Sequence, residues 1–279
     1  MIAPLVLETA RRLVPGRDEP RVEALSVGPL NCSYRVQRDG RAYALRVPAQ
    51  QSAPGVRMLS ELGVDRQWEH RVLLAAAAEG LAPAVLACEP RSGVLLTAWL
   101  DGESWSAEQA ARPDSQPDVA RLLHRVHALR PAVPLRRMQV GDWCRLYRDA
   151  LSRVQPPPAD HEARAAAESQ EHVVLREYAR LPPPAMRLCH SDLHRQNLLH
   201  AGARSWLLDW EYAHLGDPFW DLASWIRSAE LGPAARAAWV GAYLQREPRA
   251  AERERLECLL RIYDVVCLLW NRLAGVKDD

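Results

Sequence analysis

The sequence predicts an α+β fold in which a small β-rich lobe precedes a larger, mostly helical one. Three observations carry that expectation. The first hundred residues hold short strand-like runs separated by turn signals. After Trp99 the apolar residues recur at helical spacing, and a length of 279 residues is ample for two lobes. The boundary falls at the end of the last strand-like run, giving lobes at residues 1–98 and 99–279.

In the first lobe, Val22–Val27 reads as a strand. Ser33–Arg38 and Arg41–Val47 flank Asp39-Gly40, and Asp-Gly suits the two-residue type I′ turn of a hairpin. Asp65–Glu79 has helical composition and leads to Gly80, a C-cap candidate. A second hairpin joins Ala84–Cys88 to Val94–Ala98 around Arg91-Ser-Gly93. The lobe is therefore five strands and one main helix. In the second lobe, Val119–Leu129 carries helically spaced apolar residues, and Gln155–His172 reads as a Pro-rich loop running into a helix. Leu181-Pro-Pro-Pro-Ala is an extended lead-in to the segment around His190, with Leu198–His200 and Ser205–Leu208 pairing as a short hairpin. Pro218–Ser228, Pro233–Tyr243 and Ala251–Leu273 read as helices, with Asp217-Pro218 as the start of the first.

Composition excludes several function classes. A net charge of +1 gives no global field for nucleic acid or a membrane surface, so neither is expected as a partner. No apolar run approaches the length of a membrane span, and Met1-Ile-Ala-Pro-Leu lacks the basic region of a secretory signal. Six cysteines at 32, 88, 144, 189, 258 and 267 contain no CxxC, which fits free thiols in a reducing cytoplasm. Of the 36 basic residues all but Lys277 are Arg, so a Walker A loop with its Lys is impossible. No two glycines stand two apart, and GxSxG and HExxH are absent.

The chemistry concentrates in His190-Ser-Asp192-Leu-His-Arg-Gln-Asn197, followed twelve residues later by Asp209 in Trp206-Leu-Leu-Asp209-Trp210-Glu211. Phosphoryl transfer from a nucleotide needs a carboxylate near the acceptor hydroxyl, plus an amide oxygen and a second carboxylate for magnesium. The short hairpin returns Asp209 to the side of Asn197, so three oxygen groups converge. Asp and Asn are also ordinary turn residues, but the spacings and flanks match together here.

The stretch LCHSDLHRQNLLH…WLLDWEYAHLGDPFWDLASW resembles the superfamily of choline kinases, thiamine kinases and aminoglycoside phosphotransferases, relatives of the protein kinases; the DWEYA form is most similar to the choline/ethanolamine and thiamine kinase branch. The resemblance implies a bilobal protein-kinase-like fold, with ATP and Mg²⁺ as cofactors. The activity it implies is transfer of a phosphate to the hydroxyl of a small, cationic alcohol, with an aminoglycoside or amino sugar as the alternative acceptor. It implies Asp192 as catalytic base, His190 as a brace for the loop, Asn197 and Asp209 as Mg²⁺ ligands, and Asp221 as support from below. In the small lobe it implies Asn31 and Ser33 in the phosphate-covering turn, where Pro29 stands in place of a second Gly. Arg46 takes the place of the phosphate-holding Lys and Glu69 that of its partner, while Thr97 and Trp99 lie in the hinge that meets the adenine. Glu211, Tyr212, Trp225, Asp264 and Trp270 are implied around the acceptor.

Plainer readings stand beside these. Arg46 and Glu69 also read as solvated surface charges, and Asp221 as a first-turn carboxylate favoured by the helix dipole. Ten tryptophans against one phenylalanine leave core packing open for any single aromatic, although several near Asp209 would suit a cation. His194 and His200 show no metal-ligand spacing, and His124 and His127 read as packing or solvent-facing helix residues. Only eleven residues separate Asp209 from Asp221 and no APE-like element follows, which argues against a protein kinase. A non-catalytic nucleotide-binding module is the reading from a different class.

Overall fold

The computed structural model describes residues 2–28, 30–49, 62–131, 136–153, 161–202 and 204–274, without the side chains of 161–170. Pro29, Lys277 and the expected loop at 155–160 lie outside the described residues.

The small lobe contains α1 (Pro4–Leu13), β1 (Arg21–Val27), β2 (Asn31–Arg38), β3 (Arg41–Pro48), α2 (Arg66–Ala78), β4 (Val85–Glu89) and β5 (Val94–Ala98). The five strands form one antiparallel sheet in the order β1-β2-β3-β5-β4. Asp39 and Gly40 both take positive φ, 48° and 72°, as the two-residue hairpin turn requires. Helix α1 was not among the expected elements. Pro4 starts it, and its Val6, Thr9 and Ala10 are buried, the two apolar ones in a core with Tyr34, Val36, Tyr43, Leu45 and Leu96. Its short run of mixed residues gives a weak periodic signal, and the sheet it covers supplies the missing stabilisation.

The sheet register decides what the cleft sees. Tyr34 pairs with Leu45 and Leu45 with Leu96, so these side chains share the face packed on α1. One residue along, Ser33 pairs with Arg46, and Arg35 with Ala44, putting these side chains on the opposite face. Asp65 caps α2 by accepting from the N–H groups of Gln67 and Trp68, both at 3.0 Å, which aims Arg66 and Glu69 at that opposite face. Trp68, Val72, Leu73 and Ala76 on α2 join the same core as the helical lobe.

The second lobe runs β6 (Glu103–Ser104), α3 (Ala107–Ala111), α4 (Gln116–Ala128), α5 (Val140–Ser152), α6 (His161–Arg180), β7 (Arg187–Cys189), β8 (Leu198–Ala201), β9 (Arg204–Leu207), β10 (His214–Gly216), α7 (Phe219–Ser228), α8 (Pro233–Leu244) and α9 (Ala250–Ala274). Three short strands, α3 and α5 add to the expected elements. Helix α5 shows an amphipathic pattern in Val140, Trp143, Cys144, Tyr147 and Ala150, all buried. Its β-branched, aromatic and Gly residues obscured that pattern as helix formers. Asp217 Oδ1 accepts from Phe219 N at 3.0 Å, capping α7 from one residue before Pro218. Trp210, Trp225 and Trp239 are among the largest fully buried side chains, so much of the tryptophan excess is core. All six cysteines are free, and among the described residues no helix is long and apolar enough to cross a membrane.

Candidate active site

Two arginines and three carboxylates meet where the small lobe faces the second. Arg46 holds Glu69 through both arms of its guanidinium, Nη1 to Oε1 at 2.5 Å and Nη2 to Oε2 at 2.8 Å, and Nη1 also reaches Asp209 Oδ1 at 3.3 Å. Arg66 ties the unit to a second carboxylate. Its Nη1 donates to Glu69 Oε2 and to Glu211 Oε2, both at 2.8 Å, while Nη2 donates to Asn31 Oδ1 at 2.8 Å. Asn31 Nδ2 closes the ring on Glu211 Oε2 at 3.0 Å. Burial opposes charge on Glu69, but Arg46 and Arg66 outweigh it and hold the carboxyl below its usual range. Glu211 goes the other way: burial, then the Asp209 charge, push it to about 8. Asp209 is raised by burial and by Glu69 and Asp192, against Arg46.

The second cluster is built on the loop after β7. His190 N–H and Ser191 N–H donate to the two oxygens of Asp221 at 2.9 and 2.7 Å, and His127 Nε2 donates to Asp221 Oδ2 at 3.0 Å. The His190 ring is fully buried, donates from Nε2 to the Leu208 carbonyl at 2.9 Å and lies edge-on to Trp210 at 4.9 Å. Burial lowers its pKa, so the ring is a neutral strut between loop and hairpin. Asn197 Nδ2 donates to Asp192 Oδ2 and to the Asp192 carbonyl, both at 3.0 Å. Leu208 N–H donates to the Asn197 carbonyl at 2.8 Å, which draws Asp209 to the loop's side. Asp209 itself has φ 59°, a left-handed conformation that few non-Gly residues adopt and that turns its carboxyl toward Arg46. Burial would raise the Asp192 carboxyl, but His194, 3.5 Å away, holds it below its ordinary value.

A cavity of about 450 Å³ joins the two clusters. Asn31, Ser33, Arg46, Asp192, Asp209 and Glu211 line it. Six aromatic side chains line it as well: Trp143 and Tyr147 from α5, Tyr212, Trp220 from α7, and Tyr263 and Trp270 from α9. Carboxylate oxygens of Glu69, Asp209 and Glu211 lie within 4.8 Å of one another, a hard-oxygen set with the chemistry of a Mg²⁺ site.

Several expected residues sit elsewhere. Trp225 is buried in the core, donating from Nε1 to Gln116 Oε1 at 2.8 Å and packing against Trp105 and Trp239, because it shares the inward face of α7 with Asp221. Asp264 is half exposed on the other side of α9 and pairs with Arg227 at 2.7 Å. Neither is among the residues that line the cavity. Thr97 and Trp99 lie outside it too. Trp99 carries the Arg35 guanidinium 4.7 Å over its ring and donates to Asp101. His194, which showed no metal-ligand spacing, lines the cavity, and His127, read as a packing or solvent-facing residue, is buried and braces Asp221. Arg66, Trp143, Tyr147, Ser191 and Tyr263 were missed. The Trp143–Tyr147 pair at i,i+4 was the available signal, whereas Arg66 gave none among so many arginines.

Two outcomes follow. Asp221→Ala strands two backbone N–H groups and His127, so chemical unfolding should show a loss of about 3–5 kcal/mol; a loss under 1 kcal/mol would contradict the bracing. Burial favours the neutral Asp221 carboxyl, yet His127 and the backbone donors keep it below the usual range. Its stabilisation is therefore present above an unfolded pKa of about 3.9 and fades as pH falls through the lower folded value. For Arg46 and Glu69, at 12% and 4% side-chain exposure, a double-mutant cycle on nucleotide affinity should give coupling above about 1 kcal/mol. Arg46→Lys should restore little, since Lys lacks the fork. Additive losses would indicate an ordinary surface pair, worth about 0–1 kcal/mol.

Residues 21–257 match the phosphotransferase enzyme family. The chain is 28% identical over 254 residues to the N-acetylmuramate/N-acetylglucosamine kinase of Caulobacter vibrioides, a match spanning 82% of this chain and 68% of that one. It is 30% identical over 100 residues to protein LicA of Haemophilus influenzae, spanning 34% of this chain and only 36% of LicA. In structure it resembles a choline/ethanolamine kinase family protein from Mesorhizobium loti, with TM-score 0.75 at 24% identity over 97% of this chain and 88% of that one. A LicA structure in complex with AMP follows, with TM-score 0.70 at 19% identity over 97% and 89% of the two chains. These likenesses establish the protein-kinase-like phosphotransferase fold.

Proposed function

The chain belongs to the phosphotransferase enzyme family, and from that premise we propose that it transfers the γ-phosphate of ATP, with Mg²⁺, to the hydroxyl of a small alcohol. The observation that carries this reading is that Arg46, Asp209 and Asp192 line one cavity together with six aromatic side chains. Arg46, steadied by Glu69, holds the nucleotide phosphates. Asp209 and Asn197, with Glu211 in reach, supply the oxygens that hold Mg²⁺. Held there, Mg²⁺ would supply positive charge against the phosphate oxygens. Asp192 accepts the proton of the acceptor hydroxyl, and its ionised state at neutral pH suits that task. The loop carrying it is held by Asp221 and His190, so the carboxylate is pre-positioned.

The acceptor is a small cationic alcohol of the choline, ethanolamine or thiamine kind. Six aromatic side chains line the same cavity as Asp192, a lining that suits a cation through ring faces and the Asp192 charge. A second reading, an amino sugar, is favoured by the long match to the N-acetylmuramate/N-acetylglucosamine kinase. ADP release measured across choline, ethanolamine, thiamine, amino sugars and aminoglycosides separates the two. A kcat/KM highest for the quaternary or thiazolium alcohols is expected. A maximum among the sugars would replace the first reading with the second.

A further inference from the structure

Ser191 stands at φ 72°, in the left-handed region where a non-Gly residue is strained and Gly is not. The backbone is fixed there from both sides. Its N–H donates to buried Asp221 at 2.7 Å, and its carbonyl accepts from Trp220 Nε1 at 3.4 Å. A glycine would satisfy both contacts without strain, so the side chain needs its own explanation.

That side chain lines the cavity next to Asp192. Its Oγ lies 2.8 Å from His214 Nδ1, which is also 3.0 Å from the Tyr212 carbonyl. A carbonyl only accepts, so Nδ1 carries the hydrogen and offers it to both oxygens. The Ser191 hydroxyl proton is then left free of His214. Burial lowers the His214 pKa to about 4, so this arrangement persists at neutral pH. The ring is seated by Gly216, where a Cβ would come within 2.5 Å of His214 Nε2. Of the tyrosine hydroxyls that line the cavity, Tyr147 donates to the Leu62 carbonyl, while Tyr212 accepts from Trp270 Nε1 and Tyr263 accepts from Ser224 Oγ.

We propose that Ser191 is a substrate-positioning residue whose hydroxyl donates to the oxygen of the acceptor's reacting hydroxyl while Asp192 accepts that hydroxyl's proton. With one lone pair taken by Ser191 and the proton by Asp192, the remaining lone pair is aimed at the γ-phosphorus. The bond formed is acceptor O–P, the bond broken is that between the γ-phosphorus and the β,γ-bridging oxygen, and the proton passes to Asp192. The inference rests on the phosphotransfer reading above.

The test compares Ser191→Gly with Ser191→Ala in the full-length protein. Both remove the hydroxyl and leave His214 its Tyr212 partner, but only Gly relieves the backbone. Ser191→Gly should melt at or above the wild-type temperature and Ser191→Ala at or below it. Both should lose about tenfold or more in kcat/KM for the acceptor, with KM for Mg·ATP within twofold of wild type. Acceptor kcat/KM within twofold of wild type in Ser191→Gly overturns the proposal, and so does activity that simply follows melting temperature. A wild-type enzyme that phosphorylates no alcohol defeats the phosphotransfer reading instead, and this inference with it.

Discussion

Replacing Asp192 with Asn leaves a folded protein that binds Mg·ATP and turns over roughly 10²–10⁴-fold more slowly, the usual contribution of a positioned base. The substitution is nearly isosteric. Asn197 keeps its bond to the Asp192 main-chain carbonyl, so the loop stays where Asp221 and His190 hold it. What disappears is the proton acceptor and the partner of His194. Nucleotide affinity should be little changed, because the Arg46–Glu69 unit is untouched. Steady-state kinetics with calorimetric titration of Mg·ATP separates the two effects. Turnover within threefold of wild type would remove Asp192 from the reaction.

Asp209→Asn should cost at least about 100-fold in Mg·ATP affinity, at the lower end of what removing a charge from a buried charge pair costs. Asn tolerates the left-handed conformation at φ 59°, so the backbone has no reason to move. Without ligand the same change should not lower the melting temperature. Asp209 faces Glu69 and Asp192 in the cluster that raises its pKa, and relief of that repulsion offsets the lost contact with Arg46. The two measurements together are diagnostic: binding lost with stability kept marks a ligand-holding carboxylate. Unchanged affinity and unchanged magnesium dependence would contradict the assignment.

The small-lobe sheet was legible because each strand is short and its turns carry local signals, Asp39-Gly40 above all. Helix α1 was not, since its stability comes from the sheet beneath it and not from its own ten residues. The approach of Asp192, Asn197 and Asp209 could be read because all three sit on one loop and one hairpin. Arg46 facing Glu69 was legible only through the family resemblance, since each residue alone also reads as a solvated surface charge. Arg66 could not be found this way. Its partners Asn31 and Glu211 lie 35 and 145 residues away, and only the closed fold brings them together. The aromatic lining was legible only in part for a similar reason. Tyr212 and Trp270 line the cavity as expected, Trp225 and Asp264 do not line it, and α5 brings Trp143 and Tyr147 from a helix that was not anticipated. Which face of a helix meets a cavity depends on packing against distant elements, and proximity in sequence to a motif does not decide it.

Under the proposed function the cleft moves a phosphoryl group from nucleotide to alcohol and does not merely bind nucleotide. Phosphorus NMR of the wild-type protein with Mg·ATP and the best acceptor of the panel tests this most directly. A new phosphomonoester resonance is expected that grows in step with ADP and is absent over the same interval with Asp192→Asn. ADP appearing with inorganic phosphate alone, or ATP left intact with every acceptor, would contradict that function.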